Sequence, residues 1–250
     1  MLSAIVITKN EEANIEECLK SCDFADEKIV VDSGSDDRTV ELARRFSACV
    51  YAMPWLGYAG AKQYALERAA GEWILWLDAD ERVTKPLAEE IRSVVGHPTP
   101  HAAFRMKRKA YFLGRWMRHG GWYPGYVIRL FRKDLGRFGK EKVHERIAVE
   151  GPVGTLQGHI DHHTDPSIDH YLEKLNRYTS LAAEDGFERG RRISLAGCVV
   201  RSAAMFFKMY VFRRGFLDGT EGFLLAVFSS FHVFSKYAKL WEMKSGSDHG

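Results

Sequence analysis

Apolar runs of strand length recur through the first 95 residues, and three of the four stop at a polar cluster. Leu2 to Thr8 is short and β-branched and gives way to Asn10-Glu11-Glu12. Lys28 to Val31 ends at Asp32-Ser33-Gly34-Ser35-Asp36-Asp37, and Ala48 to Ala52 forms a third run. Glu72 to Leu77 ends at Asp78-Ala79-Asp80-Glu81. Apolar residues at helical spacing fill the gaps: Ile15, Cys18 and Leu19, then Val40, Leu42, Ala43 and Phe46, then Gly60 to Ala70. Unbroken apolar strands alternating with helices predict a parallel sheet covered on both faces. A sheet of that kind binds ligands beyond the carboxyl ends of its strands. The three polar clusters fall at those ends.

After Val95 the alternation stops, and Pro98 and Pro100 mark a break. Ala102 to Phe112 and Tyr126 to Phe131 read as strands around a loop, Gly114 to Gly125. Ser167 to Arg189 has one apolar face at helical spacing, through Tyr171, Leu175, Tyr178 and Ala182. The chain turns strongly apolar and aromatic from Ser194. The predicted organisation is a catalytic domain over 1–165, with a ligand-binding half to 95 and an acceptor side over 96–165, and a helical extension over 166–250. Net charge is +3, too small to imply nucleic acid as a partner. Basic residues crowd between Arg105 and Arg118 and again at Arg201, Lys208, Arg213 and Arg214. Cys18 and Cys22, one helical turn apart, suit buried thiols, and with no signal peptide a reduced, cytoplasmic setting is expected.

Asp78 and Asp80 carry the chemistry. Residues two apart on a strand point the same way, so both carboxylates can be presented together where the strand ends. Hard oxygen ligands suit Mg²⁺ or Mn²⁺, which keep waters and take phosphates as further ligands. That points to an enzyme acting on a nucleotide-diphosphate compound. Asp32 closes another apolar strand and could accept hydrogen bonds from a nucleobase or ribose. Its neighbours Asp36 and Asp37 read as turn and cap residues.

Four segments in order, Ile5-Val6-Ile7-Thr8-Lys9-Asn10-Glu11, Val30 to Thr39, Gly60 to Leu66 and Trp76-Leu77-Asp78-Ala79-Asp80, resemble the family 2 inverting glycosyltransferases of GT-A fold. Arg129-Leu130-Phe131-Arg132 and Val143-His144-Glu145 are similar to the subgroup of bacterial lipopolysaccharide-core glucosyltransferases. The resemblance implies a Rossmann-like nucleotide-binding sheet and a nucleotide-sugar donor, UDP-glucose. Thr8, Asn10 and Glu11 would border the nucleoside, Asp32 would contact the base, and Lys62 would lie near base or phosphates. Asp78 would meet ribose or metal, and Asp80 would be the principal metal ligand. Glu145 is the candidate general base, the carboxylate that an inverting transfer needs to deprotonate the acceptor hydroxyl. His162 or His163 is a candidate extra metal ligand.

Arg115, Trp116 and Trp122 sit in a loop of glycine, tryptophan and arginine. Aromatic faces stack on sugars, and arginine holds phosphate bidentately, so this loop is expected to bind a phosphorylated or lipid-linked glycan. Gly222 to Ser235 is apolar and too short to span a bilayer, and basic residues precede it. The C-terminal helices are therefore expected to lie peripherally on the inner face of the plasma membrane, with internal packing or a homo-oligomer contact as the other use of the same apolar surface. Two competing functions are a nucleotidyltransferase, disfavoured because Thr8-Lys9-Asn10-Glu11 replaces a Gly-rich loop, and a non-catalytic nucleotide-sugar-binding membrane scaffold.

Overall fold

Strand β1 (Leu2–Thr8) is buried along its whole length. It pairs in parallel with β2 (Glu27–Asp32) on one side and β4 (Trp73–Asp78) on the other, and β3 (Cys49–Ala52) adds in parallel to β2. The side chains of β1 alternate between two cores. Leu2, Ala4 and Val6 pack under α1 (Ile15–Ser21), α2 (Thr39–Arg45) and α4 (Lys85–Gly96), through Leu19, Leu42, Leu87 and Ile91. Ile5 and Ile7 meet Ala61, Ala65 and Leu66 of α3 (Gly57–Arg68) on the other face. Two apolar faces require two helical layers, which is why these strands carry no polar alternation. The computed structural model describes residues 1–46, 48–54, 57–139, 147–191 and 193–247.

The sheet continues through β8 (Gly125–Arg132), β6 (Ala103–Phe112), β11 (Val153–Asp165) and β5 (Glu81–Val83), in the order β3-β2-β1-β4-β8-β6-β11-β5. From β8 onward the described pairings are antiparallel. The short β7 (Arg115–Trp116) pairs with the end of β6, and β9 (Gly136–Phe138) with β10 (Ile147–Val149) in a separate ribbon. Gly158 on β11 lets α4 approach closely: a Cβ there would lie 2.6 Å from Leu87 Cα.

The chain divides into two compact units, 1–108 with 125–162, and 109–124 with 163–250. The sequence suggests a cut at 165, whereas the boundary between these units falls at 162/163 and loop 109–124 groups with the C-terminal helices. Its Phe112, Met117 and Trp122 share an apolar cluster with Met209, Leu225 and Ala226. That second unit holds α5 (Ile168–Glu188), α6 (Leu195–Phe207) and α7 (Gly219–Ser247). Tyr171 of α5 stacks on Phe228 of α7, and Ser230 donates to the Ser202 carbonyl of α6 at 2.7 Å. Lys239 closes the α5–α7 face by donating to Asn176, Thr179 and Ser180. The α/β class with helices at the C-terminus is the one expected.

Candidate active site

The parallel register brings three predicted residues to one edge of the sheet, in two adjacent rows. Thr8 lies opposite Asp32, and Ile7 lies opposite Asp78. Past the strand ends, two loops are joined by hydrogen bonds. Asn10 N donates to Ser35 Oγ at 2.8 Å, Asp36 N to Asn10 Oδ1 at 3.0 Å, and Glu11 N to Thr39 Oγ1 at 2.8 Å. Asn10 adopts φ of 55°, a left-handed conformation that asparagine tolerates. Asp32 is buried, and its carboxylate accepts from Gly34 N, Ser35 N and Ser35 Oγ. Beside it, the hydroxyls of Thr8 and Ser33 are buried and make no hydrogen bond among the described residues.

Asp78 sits between two cations, 2.8 Å from an Arg129 nitrogen and 3.2 Å from Lys62 Nζ. Burial favours its protonated form, but Arg129 and Lys62 outweigh burial and hold the carboxyl well below the usual carboxylate range. Arg129 is itself buried and also meets the fully buried Glu81 at 2.5 Å. Burial would lower the Arg129 pKa, and Glu81 and Asp78 raise it instead. Both cations lie on the Trp76 ring, Arg129 at 3.5 Å and Lys62 at 4.2 Å from its centre.

Asp80 faces a different partner. Its Oδ2 is 3.1 Å from His162 Nε2, on strand β11. Among the described residues no group of three or more His, Cys, Asp and Glu side chains is placed to hold an ion. The Asp80–His162 pair nonetheless fits part of one. Two ligands at right angles around an ion, each about 2.1 Å from it, lie about 3 Å apart. His163 cannot join His162, because neighbours on a strand point to opposite faces. Its ring stacks on Tyr111 at 4.6 Å. Glu145 lies outside the described residues.

In the second unit, a cleft of about 450 Å³ is lined by Gly114, Arg115, Trp116, Arg118 and His119 from the loop and by Leu217 and Asp218. Arg118 and Lys109 lie over the Trp116 ring, at 4.4 and 4.8 Å. Arg115 is 3.3 Å from Glu221. Trp122 does not line this cleft and packs on the apolar cluster instead. Asp218 is buried and accepts from His119 N at 2.7 Å, and its other oxygen lies 2.8 Å from His119 Nδ1.

The sequence profile of Glycosyl transferase family 2 matches residues 3–149. A lipopolysaccharide core biosynthesis glycosyltransferase, LpsC of Rhizobium meliloti, is 33% identical over 96% of this chain and 92% of its own length. This chain belongs to glycosyl transferase family 2. An uncharacterized glycosyltransferase of Rickettsia typhi is 30% identical over 97% of the chain and 87% of its own length. A crystal structure of glucosyl-3-phosphoglycerate synthase from Mycobacterium tuberculosis, with Mn²⁺, UDP and glucosyl-3-phosphoglycerate, has 19% identity and a TM-score of 0.48, over 78% of this chain and 81% of that one. An overlap of that size carries no weight for fold or function.

Within this glycosyltransferase, three functional candidates lay beyond the sequence reading. Arg129 and Glu81 form the buried ion pair that supports Asp78, and a charged residue inside an apolar strand (Ile128-Arg129-Leu130) was the available signal. His119 gives no signal in the sequence, because its partner Asp218 is 99 residues away.

Proposed function

We propose that this family 2 enzyme transfers a hexose, glucose from UDP-glucose, with inversion onto a membrane-associated glycan of the lipopolysaccharide-core type, using a divalent metal. The observation that carries it is the contrast between two neighbouring carboxylates. Asp78 is held by Lys62 and Arg129, whereas Asp80, in the turn just past the end of β4, stands against His162. Asp80 and His162 are the residues that would hold Mg²⁺ or Mn²⁺. Such an ion, when bound, neutralises charge developing on the leaving diphosphate. Lys62 and Arg129 fix Asp78 in its ionised form toward the ribose. Thr8 and Ser33 offer hydroxyls to the nucleoside, and Asp32 shapes that pocket by holding the turn at Gly34 and Ser35. Glu145 takes the acceptor proton.

The lipopolysaccharide-core acceptor rests on the likeness to LpsC, and UDP-glucose on the sequence resemblance alone. Peripheral contact with the cytoplasmic leaflet is supported by exposed apolar residues of α6 and α7. Leu195–Phe212 is long and apolar enough to cross a membrane by length and composition. Arg201 and Lys208 lie exposed within it, and Cys198, Ser202 and Met209 are buried, which favours a helix lying along the surface.

The test is a thermal-shift series with nucleotide sugars, with and without Mn²⁺. UDP-glucose with Mn²⁺ should raise the melting temperature more than either alone, since a ligand that binds only the folded state stabilises it. Asp80→Ala should abolish the Mn²⁺-dependent part and retain the UDP part. An unchanged Mn²⁺ effect would place the metal elsewhere.

A further inference from the structure

The cleft in the second unit collects features that the donor site does not use. Arg115 and Arg118 supply donors on one wall, and the buried carboxylate of Asp218 holds the His119 backbone and ring beside them. With Nδ1 facing Asp218, Nε2 is the nitrogen left to meet a ligand, and the ring is one-third exposed. Trp116 offers an aromatic face already flanked by cations. Leu217, half-exposed at 51%, also lines the cleft. Leu217 ends an unusual corner. Phe207, Val211, Phe212 and Phe216 are exposed at 54, 46, 80 and 49%, and Lys208, Arg213 and Arg214 are exposed among them. Arg214 has φ of 56°, a left-handed turn that brings the chain round between α6 and α7. Bulky apolar side chains mixed with cations suit the boundary of an anionic bilayer, where rings enter the acyl region and cations meet headgroups.

We propose that this cleft is a headgroup site for the phosphate monoester of an amphiphile, whose apolar part lies with Phe212, Phe216 and Leu217 in the leaflet. A monoester carries between one and two negative charges near neutral pH, with oxygens free on one side. The two guanidinium groups of Arg115 and Arg118 match that charge and geometry better than the single charge of a phosphodiester. The proposal deepens the acceptor half of the proposed function. It is tested by binding alone, so it can fail while donor binding stands, or stand while donor binding fails.

The full chain is titrated with phosphatidylcholine vesicles containing phosphatidic acid, and with vesicles containing enough phosphatidylglycerol to match surface charge. The expected result is several-fold tighter binding to the phosphatidic acid vesicles. Arg118→Ala should erase that preference and leave phosphatidylglycerol binding intact, which also shows that the variant is folded. Phe212→Ser should weaken binding to both vesicles by a similar factor. Equal binding of the native protein to both vesicles would overturn the proposal, as would a preference that survives in Arg118→Ala. Inorganic phosphate distinguishes a free anion: if millimolar phosphate raises the melting temperature through Arg118 while the vesicle preference is absent, the site takes soluble phosphate and the lipid assignment is wrong.

Discussion

Arg129 shows how much one buried side chain can decide. It neutralises Glu81, orients Asp78 and lies on Trp76, all from within a sheet strand. Removing one partner of such a group leaves an uncompensated buried charge, which costs about 3–5 kcal/mol. Arg129→Leu should therefore lower stability by that order in urea unfolding, and Glu81→Leu should do the same. If Arg129→Leu melts like the native protein, water must already reach Glu81. Glu145 is a different case, a proposal from sequence alone. Glu145→Gln should reduce transfer by about 100-fold or more while UDP affinity stays within a few fold. Retained transfer would assign the base to another carboxylate.

Elements meet where small or titratable residues permit it. Gly158 of β11 has no room for a side chain against Leu87, so Gly158→Ala must push α4 away from the sheet. The expected cost is about 1–3 kcal/mol, read as a lower melting temperature, and it should be larger than for Gly96→Ala, where nothing lies within 4 Å. On α7, burial first, then Lys236 and Lys239, holds His232 below the ordinary imidazole range. The folded protein thus prefers the neutral ring. Stability from this site is whole above pH of about 6.5, where the unfolded imidazole titrates. It is lost as pH falls from there toward the lower folded-state pKa. His232→Gln should lose less stability between pH 7.5 and 5.5 than the native chain, and parallel melting curves would show that His232 is solvated.

At the scale of the whole molecule, the basic segment between Arg105 and Arg118 does not act as one patch. Arg105 bonds Thr155 and lies on Tyr126, Arg108 approaches Glu81, and Lys109 and Arg118 bracket Trp116. Linear crowding became several separate jobs because β6 turns successive side chains to opposite faces. The strands β1, β2 and β4 were legible because their apolar runs are continuous and largely buried on both faces, and β3, a short edge strand with exposed ends, was legible from its place in the alternation. Strand β11 was not legible. Its buried positions include Gly154 and Gly158, which blur the alternation, and its His159-Ile160-Asp161-His162-His163 stretch reads as polar loop.

The order of residues along the chain alone determined the parallel sheet, the polar clusters at its carboxyl ends and the family, since each depends on local runs of a few residues. Only the tertiary structure decided which carboxylate lies between Lys62 and Arg129, which histidine meets Asp80, and that the loop 109–124 packs with the C-terminal helices. Arg129 and Asp78 are 51 positions apart, His162 and Asp80 82, and Arg115 and Glu221 106. Long-range pairing of that kind is set by sheet register and by competition among buried charges, and neither leaves a periodic trace in the sequence.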